Sequence, residues 1–268
     1  MRITTPDGVS IHIRRQGAGP EPVLFVHGGF ASSRWWMPAT ALMPVDGLTA
    51  YLVDLRGCGG SDRPDDAAGY AVEQQARDIA AVIDELGLTG AHLVGHSLGA
   101  AIALTYAAEH AHQLRSLTLV STPSPDGTAT PPEGYQLLRQ MREDRGLLAQ
   151  ALASVMPSCP PDALFQQFVA EAAGQAPVAF TATAAALEQW RLTRDRRARL
   201  RLPVLLMWGD RDQFVERAVQ NDLLLSMPGA NNLEVFQGCG HSPMLERTGG
   251  LPGRSWTSSA RSSTHMQR

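Results

Sequence analysis

Apolar residues in this chain come in short runs separated by longer amphipathic or polar stretches. Residues 9–14 alternate apolar and polar side chains, the pattern of a strand with one exposed face. Six later runs are mostly apolar: residues 22–26, 50–53, 91–94, 117–120, 204–208 and 233–236, broken only by His92, Thr118 and Glu234. Runs this short and this apolar fit strands covered on both faces. Helical patterns lie between them. In residues 72–86, Ala76, Ile79, Ala80, Val82, Ile83 and Leu86 share one broad face, and Gly87 stops the helix. Residues 100–108 read as a second helix, rich in small side chains. Alternating strands and helices predict an α/β fold, a mostly parallel sheet with helices on both faces.

The alternation fails between residues 124 and 201. Pro and Gly punctuation there separates helix-like segments near residues 135–142, 147–155, 163–173 and 178–191, with no convincing strand. The predicted organisation is a core built from residues 1–123 and 202–247, interrupted by a helical insertion at 124–201. Arg191, Arg194, Arg196, Arg197, Arg199 and Arg201 follow, with Asp195 among them. The favoured reading is a solvated helix face; a patch for an anionic substrate or carrier protein is the lesser one.

Composition narrows the classes. The chain has 268 residues, 44% of them hydrophobic, enough for one large domain with a substantial core. A net charge of -3 gives no electrostatic footprint for nucleic acid. No run of about 18 apolar residues and no leader-like N-terminus appear, so a cytoplasmic protein without a membrane span is expected. Cys58, Cys159 and Cys239 are odd in number and widely spaced, which suits a reducing compartment better than a disulfide framework. All 23 basic residues are Arg. Chemistry that requires a lysine, such as a Schiff base, is therefore excluded.

The candidate chemistry sits at the ends of the apolar runs, where open parallel sheets gather ligands. Gly95-His96-Ser97-Leu98-Gly99 joins a strand to a helix, a sharp turn that lifts a serine hydroxyl above the sheet edge. Residues two before and two after the serine approach neighbouring backbone, where only glycine fits cheaply. The rival reading is a serine that merely caps the helix. A serine nucleophile needs a base, and the base an orienting acid. Gly238-Cys239-Gly240-His241 supplies an imidazole after the last run; His110 and His112 end the helix that follows the turn and receive a structural or surface role. The run ending at Trp208 leads into Asp210 and Asp212. Asp212 is preferred, because Asp210 directly follows Gly209 and suits a turn cap. Oxyanion donors would be the amide of Leu98 and that of Gly29 or Phe30, in the loop after the run ending at Val26. Trp35 and Trp36 could bind substrate or simply pack. Met207, Met227 and Met244 read as core or pocket filler.

The motifs HGGF, DLRGCGGSD, GHSLG, GDRD and GCGHSP, in that order, resemble the α/β-hydrolase superfamily over about residues 1–247. The resemblance implies an α/β-hydrolase fold, residues 54–62 as a structural loop, and 124–201 as a helical cap over the site. Cys58 stands where such sequences commonly carry a larger residue. Epoxide hydrolases and haloalkane dehalogenases carry Asp where this chain has Ser97, so attack on an acyl carbon of an ester, lactone or thioester is implied. Such chemistry acts on a small-molecule substrate without cofactor or metal. Carbon–carbon bond hydrolases and cofactor-free perhydrolases use the same triad, and a binding protein or cyclase-like relative would keep the pocket without acyl transfer. Relatives usually follow the histidine with an amphipathic helix. Here residues 248–268 are rich in Gly, Ser, Thr and Arg without helical period, and an altered, disordered tail is expected.

Overall fold

The computed structural model describes residues 1–43 and 47–247; the reading of residues 248–268 as a disordered tail falls outside them. Eight strands among the described residues form one sheet: β1 (Arg2–Thr4), β2 (Ser10–Gly17), β3 (Glu21–Val26), β4 (Leu48–Val53), β5 (Ala91–His96), β6 (Leu114–Val120), β7 (Val204–Gly209) and β8 (Ala230–Phe236). Their order is β1-β2-β4-β3-β5-β6-β7-β8. β2 runs antiparallel to β1 and β4, and every pair from β4 to β8 is parallel. Ten α-helices among the described residues accompany them: α1 (Met37–Thr40), α2 (Val72–Glu85), α3 (Leu98–His110), α4 (Pro132–Glu143), α5 (Arg145–Val155), α6 (Ala163–Ala173), α7 (Ala179–Gln189), α8 (Arg194–Arg197), α9 (Arg217–Ser226) and α10 (Pro243–Glu246). The doubly wound α/β fold is thus the one expected.

Alternate residues of the central strands feed two separate cores, as a period of two requires. Leu24, Val26, Leu93, Leu117, Leu119 and Leu206 pack on one face with Ile79, Val82 and Ile83 of α2 and the buried residues of α3. Val23, Phe25, Leu52, Val94, Leu205 and Met207 pack on the other with Trp35, Trp36, Leu148, Leu152, Phe165 and Phe168. This second core joins the sheet to α5 and α6, which lie between β6 and β7 in sequence. No strand interrupts residues 124–201, where α4 to α8 stand.

α3 can lie directly on the sheet because its residues are small: Ala100, Ala101 and Ala103 are fully buried. The basic cluster departs from the solvated reading at one residue. Arg197 is buried, bonding Asp222 at 2.5 Å and Ser226 Oγ at 3.1 Å, and so ties α8 to α9. Met207, Met227 and Met244 are all core residues.

Candidate active site

Five neighbouring strands, β3, β5, β6, β7 and β8, deliver their ends to one edge. β5 breaks into α3 at Ser97, whose φ of 51° and ψ of -117° lie outside the ordinary helix and strand regions. Ser97 stands at the N-cap of α3 yet makes no side-chain capping bond, which removes the capping alternative. The glycines explain themselves sterically. A Cβ on Gly95 would fall 2.3 Å from the Gly99 carbonyl oxygen, and one on Gly99 would fall 2.3 Å from that of Val26. Only Phe30, Ser97 and Ser121 combine a side chain with positive φ among the described residues. They follow β3, β5 and β6, three strands side by side. Such strain commonly concentrates at functional sites.

The two loops beyond β7 and β8 meet. His241 Nδ1 lies 2.9 Å from Asp212 Oδ2, with the imidazole 8% and the carboxylate 0% exposed. Asp212 Oδ1 accepts from the amides of Phe214 (2.8 Å) and Val215 (3.0 Å), so the acid is fixed by its own loop. Burial pushes its carboxyl upward, but the His241 hydrogen bond and charge and these two amides hold it below the usual range. Asp210 instead accepts from the Gly238 amide at 2.6 Å, serving the turn after β8. The structure therefore pairs Asp212, not Asp210, with the imidazole.

His96 supports the site in a way the sequence did not suggest. Its Nε2 donates to the His241 carbonyl at 3.0 Å, and the two rings sit 5.0 Å apart. Nδ1 is buried with no hydrogen-bond partner. Burial, then the neighbouring His241 charge, pull its pKa down to about 3, so the ring is neutral.

Gly29 and Phe30 follow β3 beside this edge. A Cβ on Gly29 would lie 3.3 Å from Thr183 Cγ2, and the Phe30 ring packs on Phe180 at 5.4 Å, both partners belonging to α7. Leu98 opens α3, so its amide is among the first four that a helix leaves without an internal partner. Trp35 and Trp36 are 2% and 0% exposed. Trp35 lies against Phe168 at 5.5 Å and Trp36 against Phe25 at 5.1 Å. They are packing residues under the helices, not an open pocket wall. His110 stacks on Tyr106 at the far end of α3.

Two carboxylates outside the expected set join this edge to the helices between β6 and β7. Glu171 of α6 accepts from the Ser32 hydroxyl and, at 2.6 Å, from Arg34 Nε. Glu246 accepts from the amides of Gly240 (2.8 Å) and Ser158 (3.1 Å). In the 54–62 loop, Asp54 is buried and accepts from the amides of Ser33 and Gly60 and from His12 Nδ1 (2.8 Å), a structural hub. Cys58 is also buried, with Sγ 3.9 Å from Gln175 Oε1, and burial pushes its thiol up to about 12.

This fold is that of a known family. The chain belongs to the alpha/beta hydrolase fold family, whose profile matches residues 21–248. It is 30% identical to the dihydrolipoyllysine-residue acetyltransferase component of the acetoin cleaving system of Cupriavidus necator, over 90% of this chain but only 64% of that protein's length. It is 28% identical to a 2-hydroxy-6-oxononadienedioate/2-hydroxy-6-oxononatrienedioate hydrolase of Burkholderia vietnamiensis, covering 86% of this chain and 84% of that one. Among solved structures, an esterase from Exiguobacterium antarcticum superposes with a TM-score of 0.87 at 26% identity, covering 97% of this chain and 99% of that one. No helix of the described residues is long and apolar enough to cross a membrane.

Proposed function

We propose that this chain is a serine hydrolase that cleaves an ester-type bond of a small molecule through an acyl-enzyme. The observation that carries the reading is the buried Asp212–His241 pair, set on the same sheet edge as a strained serine between two obligatory glycines. Ser97 Oγ attacks the acyl carbon while His241 Nε2 takes its proton. Asp212 holds Nδ1–H, which fixes the tautomer that leaves Nε2 free to accept. The Leu98 and Gly29 amides, or that of Phe30, stabilise the tetrahedral oxyanion. His241 then gives the proton to the leaving group, and water, deprotonated by the same imidazole, releases the acid. The helices over the edge act as a cap whose apolar residues meet the substrate's acyl part.

A second reading, cleavage of an oxo-dienedioate by the same triad, is favoured by the Burkholderia relative's name. That substrate carries two carboxylates. Arg34, the arginine nearest the Phe30 loop in sequence, already pairs with Glu171, and the side chains of α5 and α6 in the shared core are apolar. Both facts favour the neutral acyl compound. The test is hydrolysis of p-nitrophenyl esters of graded acyl length, with fluorophosphonate labelling mapped by mass spectrometry. Labelling at Ser97 and loss of turnover in Ser97→Ala by about 10⁴-fold or more are expected. Ester hydrolysis that survives Ser97→Ala would refute the mechanism.

A further inference from the structure

We propose that Glu246 is a positioning residue for His241, holding the base loop in register while docking it to the helical insertion; this rests on the hydrolase reading above. Glu246 closes α10, the single turn that follows the histidine. Its Oε1 accepts from the amides on both sides of His241, Gly240 at 2.8 Å and Ser242 at 3.4 Å. The His241 carbonyl is taken by His96 Nε2. Three consecutive residues therefore have their main chain fixed by side chains, while Asp212 alone holds the imidazole by hydrogen bond. The second oxygen, Oε2, accepts from the amide of Ser158, in the turn between α5 and α6. Ser158 Oγ in turn donates to the Gly238 carbonyl at 3.2 Å, and a Cβ on Gly240 would meet Pro157 Cδ at 2.5 Å.

One carboxylate thus satisfies three amides drawn from the base loop and from the insertion. Bonds from N–H groups to an ionised oxygen are the stronger, shorter kind, and they fix geometry as well as energy. Reaction rates are sensitive to that geometry. A misplacement of about 1 Å in a catalytic group can cost roughly 100-fold. A residue that only stabilised the fold would lower melting temperature without altering turnover in protein that remains folded.

The experiment compares Glu246→Ala, Glu246→Gln and the wild-type chain, all well below their melting temperatures. Glu246→Ala is expected to lower kcat about 10- to 100-fold with KM little changed. It should slow fluorophosphonate labelling of Ser97 by the same factor, since both need the base. Glu246→Gln keeps one carbonyl oxygen for the flanking amides and should recover most of the rate. If Glu246→Ala does not fold, Glu246→Asp, which withdraws the carboxylate by one methylene, carries the same comparison. Wild-type kcat and labelling rate in a folded Ala or Asp variant would overturn the proposal. A third readout is independent of turnover: the downfield proton resonance of the His241–Asp212 hydrogen bond should weaken in Ala and persist in Gln. If the wild-type chain is never labelled at Ser97, the hydrolase reading falls, and this resonance still decides the role of Glu246.

Discussion

Mild acid should destabilise this protein well before its carboxylates titrate, and His96 should be a main cause. Its ordinary pKa of 6.5 falls to about 3 in the folded chain. The tautomer explains why. Nε2 must carry hydrogen to donate to the His241 carbonyl, so protonation adds a hydrogen at Nδ1, a buried atom with no acceptor. Between pH 6.5 and 3 the unfolded chain binds a proton that the native chain refuses, so stability rises with pH across that window. One pKa unit corresponds to about 1.4 kcal/mol, which gives a loss of about 1.4 kcal/mol at pH 5.5 and about 2.7 at pH 4.5 from this one ring. His27 adds in the same direction, because burial lowers its pKa; its Nδ1 donates to the Gly28 carbonyl and its Nε2 accepts from the Leu55 amide. His92 is lowered by burial as well. Asp54 and Asp212 have depressed pKa values, so their stabilisation is lost only below about pH 4, under the pH 5.0 at which the assay below ends. Glu234 is raised by burial and works in the opposite sense. Comparison with a His96→Asn variant cancels it. The assay is urea unfolding followed by tryptophan fluorescence and circular dichroism at pH 7.5, 6.5, 5.5 and 5.0. The variant should lose about 1.4 kcal/mol per pH unit less than the wild-type chain below pH 6. Parallel pH slopes for the two proteins would refute the reasoning.

His241→Ala should cost turnover about as much as Ser97→Ala, and Asp212→Asn somewhat less, roughly 10⁴-fold, in steady-state ester hydrolysis. Gly99→Ala places a methyl group 2.3 Å from a backbone oxygen of β3, so the turn must shift; a melting temperature within a degree of the wild-type value would contradict that geometry. Cys58 should resist iodoacetamide at pH 8 in the folded protein and react on unfolding, because burial raises its thiol to about 12; mass spectrometry of the alkylated peptide reads the outcome.

The parallel strands were legible because buried strands are written as short, mostly apolar runs, and the candidate site because strand ends carry its polar residues. Asp212 could be preferred over Asp210 because the earlier residue suits a turn, and Asp210 does accept from the Gly238 amide in the turn after β8. Other features left weaker traces. β1 is three residues long, too short for a period to register. α9 hides its periodicity by burying Gln220 and Ser226 beside Leu223. Arg197 sits in a run of arginines, and nothing local marks it as the one facing Asp222, 25 residues away. Glu171 and Glu246 act across the fold, on Ser32 and Ser158, and such partners have no local sequence signature. His96 stood in plain view within the serine turn. Its role depends on the backbone of a residue 145 positions on.

The second core described above has a consequence for how the molecule opens. Leu148, Leu152, Phe165 and Phe168 share their apolar contacts with Phe25, Val94 and Met207 of the sheet. Trp190, just past α7, reaches the other face and donates to Thr105 of α3 at 2.9 Å. A segment that borrows its interior from the sheet cannot melt by itself without exposing sheet as well. Amide exchange in α5 and α6 should therefore follow the strands they cover, as one cooperative unit rather than as a separate foldon. A protease that cuts within α5 or α6 would then report the global equilibrium of the protein, not the breathing of a detachable lid.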